Sequence, residues 1–478
     1  MADIKPNFLT GFFSPEYILR KKEKLGEIPT GKTAMKSFFS VAWPAVLEST
    51  LIGLVGFIDT QMVSVLGTDS VAAVGITGQP RMLFYAVFFA INIGVTAIVS
   101  RRTGQGDRDG ANGCLAQSVS LTLVLGILLC TAACISGYPL LKLAGAEDII
   151  IDDAVTYFRI TMIGLLFTGI GMTINAAHRG SGNTRIAMTT NIIANIINCI
   201  FNYLLIGGRL GFPALGVKGA AIATLIGNLV SFCISFCTVF FNKTGYLHVT
   251  VKDCLKIRKD VLKLHARVSR NAAVEQLFLR FGFFITAIMI NRLGTASVSC
   301  NTICMTILSL SFNVGDGLGV ATSALVGLNL GKCRKDLSLM YGSIGQRVGL
   351  IMAAVIGAVF LAFGEDIVGM FVIAGDQNEE FIMSAGRTIM YIIAVTLPVQ
   401  ISMVVYSGCL RGAGDTMFVA VTSFVAIAVL RPLTTYLLAY TLGFGVIGAY
   451  LSVLIDHVFR LVTSCARFNG GKWSKVKI

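Results

Sequence analysis

The chain has 478 residues, of which 55% are hydrophobic and 13% are charged, and its mean hydropathy is +0.77. Soluble globular proteins carry about a quarter charged residues, so this composition excludes an ordinary water-soluble fold and predicts an integral membrane protein. The net charge of +14 would suggest nucleic acid in a soluble protein. Here the basic residues lie mostly between apolar segments, which is typical of membrane topology, and we expect no nucleic-acid partner.

Twelve apolar runs along the chain are long enough to cross a membrane. A helix needs roughly 20 apolar residues to cross the hydrocarbon layer, and Gly, Pro and charged residues separate the runs. The pattern predicts an all-α integral membrane protein with twelve transmembrane helices. The predicted spans are 35–65, 71–100, 112–138, 153–177, 186–208, 217–241, 268–291, 297–328, 338–363, 382–409, 417–441 and 445–466.

The distribution of basic residues predicts how the spans are oriented. Most Lys and Arg residues lie in the N-terminal segment, in alternate loops and in the C-terminal tail, whereas the intervening loops carry Lys142, Arg209, Lys218 and Arg292. Basic loops stay on the cytoplasmic side. We therefore expect a multi-pass protein of the inner (plasma) membrane with both termini in the cytoplasm. The loop 251–267 is then cytoplasmic, and we expect its basic face on the anionic inner leaflet, in contact with membrane lipids.

The two halves of the chain repeat each other. "LGTDSVAAVGI" (66–76) matches "LGTASVSCNTI" (293–303) at an offset of 227 residues, and at the same offset Glu48 matches Glu275. "RGSGNT" after span 4 matches "RGAGDT" after span 10 at an offset of 232 residues. Each half has an even number of spans, so the two halves share one orientation and form a parallel repeat, which is typical of a secondary transporter.

The repeat predicts two six-helix lobes joined by a basic loop. The predicted divisions are a cytoplasmic N-terminal segment (1–34), an N-lobe (35–242), a cytoplasmic inter-lobe loop (243–267), a C-lobe (268–467) and a cytoplasmic tail (468–478).

Ionisable and amide side chains in the first half mark a candidate cation-coupling site. Span 1 carries Glu48 and Asp59, whose spacing leaves them about 20° apart around a helix. An ionisable group at membrane depth is costly, so two acids on one face favour a proton or cation site; a structural hydrogen-bond network is the alternative. Asn198 and Asn202 lie on one stripe of span 5, where amides either contact an ion or substrate or join helices.

The second half carries a different set of polar residues. Glu275 and Gln276 open span 7, Arg280 lies further along it, Arg431 lies in span 11 and Asp456 lies in span 12. An Arg at membrane depth needs an acid partner. We therefore predict a network of Glu275, Arg431 and Asp456 that acts as a structural pin or as part of a gate.

Three further polar residues are candidates for the lining of a substrate cavity: Gln79, Asp316 and Tyr436. For Asp316, which lies among glycines in span 8, capping of backbone groups is the alternative interpretation. The many Phe and Met residues are compatible with an adaptable aromatic cavity, although contact with lipid explains most of the Phe residues.

Two other motifs are not expected to carry chemistry. "GEIPTGKT" (26–33) fits the Walker A pattern, but a P-loop needs a buried strand before it and a soluble helix after it, whereas a charged stretch precedes this one and span 1 follows. Cys233/Cys237 and Cys300/Cys304 are i,i+4 pairs without further ligands in sequence. We expect no enzyme activity, no metal site and no cofactor apart from a coupling ion, H⁺ or Na⁺.

Several short motifs resemble the multidrug and toxic compound extrusion (MATE) family, and in particular its bacterial NorM-like and DinF-like transporters. They are "FIDT" and then "LGT" after span 1, "RGSGNTR" and "RGAGDT" after spans 4 and 10, "INCIFNYLLIGG" in span 5, "GVATSALVGLNLGK" ending span 8, and "RPLTTYLLAYTLGFGVIGAY" in span 11. Each motif is modest alone, but together they are specific because they occur in order and are duplicated. The resemblance covers the chain from about Lys36 to Trp473.

From the two-lobe repeat we expect alternating access, and we expect the protein to work as a monomer. The resemblance implies a twelve-helix antiporter that exports small organic compounds, often lipophilic cations. It also implies that Asp59, in the "DT" motif, couples export to an inward proton or sodium gradient. Two departures from the family pattern leave the ion open. Asn202 stands where some members have a second acid, a place that Glu48 can take, and Glu275 lies a turn before the usual span 7 glutamate, where this chain has Leu279. We favour protons because Asp59 and Glu48 are titratable and a close pair of like charges favours proton uptake by one of them.

Other functions stay open at this point. A lipid-linked oligosaccharide flippase of the same superfamily should have a wide cationic cleft and commonly fourteen spans, against the twelve predicted here. A polytopic membrane enzyme should show paired His/Asp or Ser/His constellations, but the four histidines are scattered. A channel would not need a two-lobe repeat with buried acids.

Overall fold

The computed structural model of the chain consists of helices joined by short turns, and it contains no β-strand among the residues that it describes. Residues 1–11 of the predicted N-terminal segment and residues 477–478 of the predicted C-terminal tail lie outside the described residues. The described residues are 12–20, 22–242, 244–372 and 379–476.

Twelve of the helices are long and apolar enough to cross a membrane, which confirms the predicted number of spans and the all-α fold class. We number them in chain order. They are α1 (Gly31–Ser64), α2 (Asp69–Gly104), α3 (Arg108–Leu143), α4 (Ile151–Gly180), α5 (Thr184–Gly207), α6 (Gly216–Phe240), α7 (Lys259–Asn291), α8 (Thr295–Gly331), α9 (Lys335–Gly369), α10 (Glu379–Gly412), α11 (Thr416–Thr441) and α12 (Gly445–Asn469).

The helices extend beyond the apolar spans that the sequence predicts. The largest difference is at α7, which begins at Lys259 rather than at residue 268. Hydropathy detects only the part of a helix that lies in hydrocarbon, whereas the backbone hydrogen-bond pattern continues into water as long as good helix formers such as Lys, Leu and Arg follow. The last nine residues of the predicted inter-lobe loop, 259–267, therefore belong to α7.

Equivalent glycines lie in the turns that follow the two repeat-related helices α1 and α7. Gly67 and Gly294 occupy the same place in the two "LGT" motifs, and their φ angles are 104° and 101°. Backbone of this kind favours Gly because it has no Cβ. The two motifs therefore fold into the same turn, which supports the internal repeat at the level of single residues.

Helix α11 is irregular around its only arginine. Two π-helical segments, Phe424–Leu430 and Tyr436–Thr441, flank a single α-helical stretch, Arg431–Thr435. Pro432 has no backbone N–H and cannot donate to the preceding turn, which contributes to the change in hydrogen-bond pattern. Such π-helical segments are frequent at functional sites, and the sequence alone did not predict them.

The chain divides into two compact units. One, the N-unit, comprises Leu47–Ala273, and the other, the C-unit, comprises Met1–Val46 together with Val274–Ile478. These bounds differ from the predicted lobes because both divisions fall inside a continuous helix: α1 begins in the C-unit and α7 begins in the N-unit. The two divisions lie 227 residues apart, the same offset as the sequence repeat.

The C-unit has an apolar core that includes the start of α1. Phe38 is fully buried in this core together with Phe468 and Trp473. Close helix contacts form at glycines: a Cβ at Gly412 of α10 would lie 2.1 Å from the carbonyl oxygen of Ser323 in α8. Only Gly permits this approach.

The Walker-like stretch lies where the chain enters α1. The Leu25 amide donates to Asp336 Oδ2 at 3.1 Å, and Arg334 Nη2 donates to the carbonyl of Glu27 at 2.8 Å. Gly31 is the first residue of α1. The stretch thus forms a backbone attachment to the start of α9, and no strand precedes it in the described part of the chain.

Candidate functional site

Asp59 lies in the N-unit, on the part of α1 that faces α5. Asn202 Nδ2 donates to Asp59 Oδ1 at 2.8 Å and is 3.4 Å from Asn198 Oδ1. The spacing of Asn198 and Asn202 places both amides on one face of α5, and both are buried. The structure therefore brings together three of the four residues predicted for cation coupling.

A cavity of about 140 Å³ lies within the N-unit, and the Asp59 carboxylate is the one acidic group in its lining. Most of the lining side chains are neutral and polar. The cavity is large enough for a few water molecules or a small hydrated ion. Its lining residues are Val55, Asp59, Thr168, Met172, Asn191, Ala194, Asn195, Asn198, Thr224, Gly227, Asn228 and Ser231.

The cavity depends on a close approach of α5 and α6. A Cβ at Gly227 of α6 would lie 2.9 Å from the Asn198 Cβ and 3.1 Å from the carbonyl oxygen of Ala194. Asn202, which is not one of the lining residues, has a buried Oδ1 without a hydrogen-bond partner in the described structure. A buried carbonyl oxygen of this kind is costly unless a water or an ion binds it, so Asn202, which bonds Asp59, has an acceptor free for a water or an ion.

Glu48 lies apart from this cluster, near the middle of the same helix. Arg179 Nη1 donates to Glu48 Oε1 at 2.8 Å, and Asn191 Nδ2 donates to the same oxygen at 2.6 Å. At 1.5 Å per residue, the eleven residues between the acids correspond to about 16 Å along α1. The expectation of a close pair of like charges is therefore wrong, because equal facing around a helix does not make two residues neighbours along it.

Glu275 in the C-unit is the repeat counterpart of Glu48, and it pairs with Arg411. Arg411 belongs to "RGAGDT" and Arg179 belongs to "RGSGNT", so the two ion pairs are related by the same repeat as their acids. Asp316 of α8 also interacts electrostatically with Arg411. Each pair lies just after the point at which α1 or α7 passes from one unit to the other.

Asp456 of α12 forms the second buried charge cluster of the C-unit. Arg431 Nε donates to Asp456 Oδ2 at 2.8 Å, and Arg460 Nε donates to Asp456 Oδ1 at 2.8 Å. The Arg431 guanidinium also lies 5.0 Å from the centre of the Phe283 ring. The predicted pairing of Arg431 with Asp456 is confirmed. Glu275 bonds Arg411 rather than Arg431, but it also interacts electrostatically with Arg460, which connects it to the Asp456 cluster.

The remaining predicted residues do not join these clusters. Gln276 and Arg280 are half-buried in α7, and the Arg280 Nε is buried without a hydrogen-bond partner among the described residues. Gln79 is exposed in α2, and Tyr436 is exposed and stacks on Tyr440 at 5.8 Å. Neither these residues nor Asp316 line the N-unit cavity, so their assignment to a substrate site stays a prediction.

Arg179 and Arg411 are the residues whose importance the sequence interpretation missed. Both stand in the repeated "RG" motifs, at offsets close to that of Glu48 and Glu275, so pairing the two repeated acids with the two repeated arginines would have found them. Hydropathy hid them because both lie at the ends of apolar spans, where Arg normally contacts water.

Twelve apolar helices, two compact units related by a sequence repeat, and buried polar clusters on membrane-spanning helices define a polytopic membrane transporter. The MatE family model matches residues 44–204 and 272–437, one match in each half of the chain. Since these matches cover more than half of the sequence, the chain belongs to the MatE family.

Related proteins match over almost the whole chain. The "Probable multidrug resistance protein NorM" of Thermotoga maritima is 26% identical over 455 residues, which cover 95% of each chain. The "Uncharacterized transporter YisQ" of Bacillus subtilis is 27% identical over 455 residues, which cover 93% of this chain and 96% of that protein.

Solved structures show the same fold at lower sequence identity. A structure described as an outward-facing conformation of a multidrug resistance MATE family transporter of the MOP superfamily has a TM-score of 0.84 and 20% identity, covering 92% of this chain and 97% of the other. A MOP superfamily transporter from Pyrococcus furiosus has a TM-score of 0.84 and 21% identity, covering 92% and 95%.

Proposed function

We propose that this transporter exports small organic compounds in exchange for protons, and that Asp59 is the carboxylate that couples the two movements. The observation that carries the proposal is the kind of partner that each buried acid has. Glu48, Glu275 and Asp456 each form an ion pair with arginine. Asp59 is bound instead by the amide of Asn202, and it faces a cavity.

The difference in partners decides which acid is able to change its charge. An arginine stays charged throughout the physiological range, so an acid paired with it loses a strong interaction when it takes up a proton. The Asn202 amide is neutral, and Arg81, which interacts with Asp59 only through space, also bonds Tyr157. Protonation of Asp59 therefore breaks no direct ion pair. At membrane depth the neutral form is also the less costly one. Asp59 is thus suited to exchange a proton, whereas the acids paired with arginine are suited to stabilise the contacts between helices.

Exchange follows if the proton and the substrate compete for the charged form of Asp59. A lipophilic cation binds near the carboxylate and leaves when a proton neutralises it, and loss of that proton on the cytoplasmic side restores the site. Alternating exposure of the cavity to the two sides of the membrane then turns an inward proton gradient into export. The names of the related proteins support multidrug export as the activity.

Sodium is the alternative ion, and one observation favours it. The unpartnered Asn202 Oδ1, the Asn198 carbonyl oxygen and the Asp59 carboxylate are oxygen ligands, which hard cations prefer. Asp59 would then exchange a sodium ion for the substrate at the same place.

Transport in proteoliposomes with separately imposed gradients distinguishes the two ions. We expect export of a fluorescent lipophilic cation to follow a proton gradient with or without sodium. Export that requires a sodium gradient and ignores pH would overturn the proton assignment. Flux down the substrate gradient that neither ion gradient affects would overturn coupled exchange itself and favour a channel.

A further inference from the structure

The segment between α6 and α7 is held against α3 by its own backbone. We call residues 244–258 the connector. Near its start, Arg108 Nε donates to the Tyr246 carbonyl at 2.9 Å, and the His248 amide donates to Asn112 Oδ1 at 3.1 Å. Near its end, Gln117 Nε2 donates to the Lys256 carbonyl at 2.7 Å. The connector therefore runs along the first three turns of α3 rather than crossing open solvent.

This attachment leaves one side of the connector uncovered. Gln117 Oε1 accepts from the Arg258 amide at 3.1 Å, so both the oxygen and the nitrogen of the Gln117 side chain bond the connector backbone. Ser120 also donates to the Cys254 carbonyl. Three of the exposed side chains are apolar. Val251 is 60% exposed, Leu255 is 78% exposed and Ile257 is 74% exposed.

Exposed basic side chains alternate with these apolar ones. The connector and the first turn of α7 carry more cations than anions, the acids being Asp253 and Asp260. Asp253 is occupied in a capping box with Thr250, which holds the short helix Val251–Leu255. The exposed cations are Lys252, Lys256, Arg258, Lys259 and Lys263.

The connector ends where the lipid-facing surface of α3 begins. One turn beyond Ser120, Leu123 is 41% exposed and Val124 is 56% exposed, and Ile127 and Leu128 continue the same apolar surface. The preceding turns of α3 carry polar residues, which is typical of the part of a helix that leaves the hydrocarbon. Leu255 and Ile257 thus lie beside the boundary between hydrocarbon and water.

We propose that the connector is an interfacial anchor that binds an anionic lipid leaflet. Its exposed Val251, Leu255 and Ile257 enter the acyl-chain boundary, and the lysines between them contact headgroup phosphates. Apolar and basic side chains that alternate on one face at this depth are typical of segments that lie in the membrane surface. A soluble protein partner fits less well, because the patch continues into the exposed apolar surface of a helix long and apolar enough to cross a membrane.

Tryptophan scanning tests the depth of the patch in the full-length protein. We place Leu255→Trp or Ile257→Trp in nanodiscs of phosphatidylcholine with phosphatidylglycerol, using lipids brominated on the acyl chains, and subtract the emission of the parent protein. We expect strong quenching at both positions, and less in phosphatidylcholine alone. Glu23→Trp, in the exposed stretch before α1, is the matched control and should stay unquenched. Unquenched emission at 255 and 257 would overturn the proposal and leave a protein partner as the occupant.

Lysine substitutions test the preference for anionic lipid. We expect added phosphatidylglycerol to raise the thermal midpoint of the parent, and this rise to fall by at least about half in Lys252→Gln/Lys256→Gln/Lys259→Gln. The control Lys24→Gln/Lys32→Gln/Lys36→Gln removes the same net charge from the start of the chain and should respond like the parent. An unchanged response in the connector variant would contradict the proposal. So would equal stabilisation by soluble glycerol phosphate, which would indicate a free-anion site instead of a leaflet.

Discussion

Four acids on the apolar helices of this protein differ in the neighbours that hold them. Three accept hydrogen bonds from arginines in pairs or triads that lie inside one unit. Asp59 accepts from an asparagine and faces a cavity. Removing charge from an acid of the first kind breaks a buried ion pair, whereas removing it from Asp59 breaks none, because the nearby Arg81 keeps its hydrogen bond to Tyr157. The same substitution therefore has opposite consequences for stability and for transport at the two kinds of position.

At Asp59 we expect Asp59→Asn to fold normally and to lose ion-driven export. The amide keeps the shape of the side chain but cannot bind or release a proton, so the driven rate should fall at least about tenfold, the scale of a lost charge interaction. The measurement is substrate export in proteoliposomes under an imposed gradient, with the thermal midpoint as a test of folding.

The matched control is Asp153→Asn, which neutralises an exposed acid of the same unit. It should transport like the parent. Driven export by Asp59→Asn at the parental rate would remove Asp59 from the coupling site.

At the scale of elements, the two helices that belong to both units are each held by a buried acid–arginine pair. α1 and α7 each pass from one unit to the other within an uninterrupted helix, and each carries an acid next to that point. Glu48 is bonded to the end of α4 and Glu275 to the end of α10. Arg179 and Arg411 occupy the same place in the two repeated "RG" motifs. The two ion pairs are therefore copies of one interaction, duplicated with the repeat.

Breaking one of these pairs should cost more than removing both charges. We expect Arg411→Gln to lower the free energy of unfolding by about 3–5 kcal/mol, because it leaves Glu275 buried and unpaired. The double variant Glu275→Gln/Arg411→Gln should be more stable than Arg411→Gln alone. Thermal unfolding followed by a thiol-reactive dye reports this directly, since Cys300, Cys304 and Cys409 of the same unit are buried and free.

An exposed pair supplies the control for this double-mutant cycle. Arg387 and Glu365 lie 3.4 Å apart, and more than half of each side chain is exposed. Arg387→Gln should change stability by less than about 1 kcal/mol. Equal losses at Arg387 and Arg411 would mean that burial does not strengthen the Glu275 pair.

Glycine contacts between helices make a second prediction at this scale. Gly412→Ala should lower stability by about 1–3 kcal/mol, because its Cβ would lie 2.1 Å from the Ser323 carbonyl oxygen and neither backbone can give way easily. Gly56→Ala in α1, where a Cβ meets no atom within 4 Å, should be neutral or slightly stabilising. The dye assay measures both, and an unchanged Gly412→Ala variant would show that α8 and α10 separate without cost.

The whole molecule was the part most open to prediction from sequence. Twelve spans and the parallel repeat follow from hydropathy and from matched motifs, both of which depend on many residues at once. The ends of α7 and the π-helical segments of α11 did not follow, because hydrophobicity is blind to helix that continues into water and to changes of hydrogen-bond register. Helix geometry places Asn198 and Asn202 on one face, as the structure shows. The separation of Glu48 and Asp59 depends on the rise along the helix as well as on the angle around it, and the angle alone suggested a close pair.

The orientation of the chain is a prediction at this largest scale. The basic loops predict both termini in the cytoplasm. A green fluorescent protein fused after the C-terminus should be fluorescent in cells, and alkaline phosphatase fused there should be inactive. Phosphatase fused in the loop between α3 and α4, which carries Lys142 at its edge, should be active. The reverse pattern would invert the assignment of every loop.

The helices that change units also constrain how such a protein can be divided. A chain cut within the connector yields two fragments. The first carries the start of α1, which belongs to the C-unit, and the second carries the start of α7, which belongs to the N-unit. Neither fragment is a finished domain, so we expect them to be stable only when they are produced together. A primordial half-length gene product would face the same need and would meet it by exchanging its first helical segment with a twin, as in domain swapping. Gene fusion would then have joined two copies that had already exchanged these segments, and the connector would mark the junction between them.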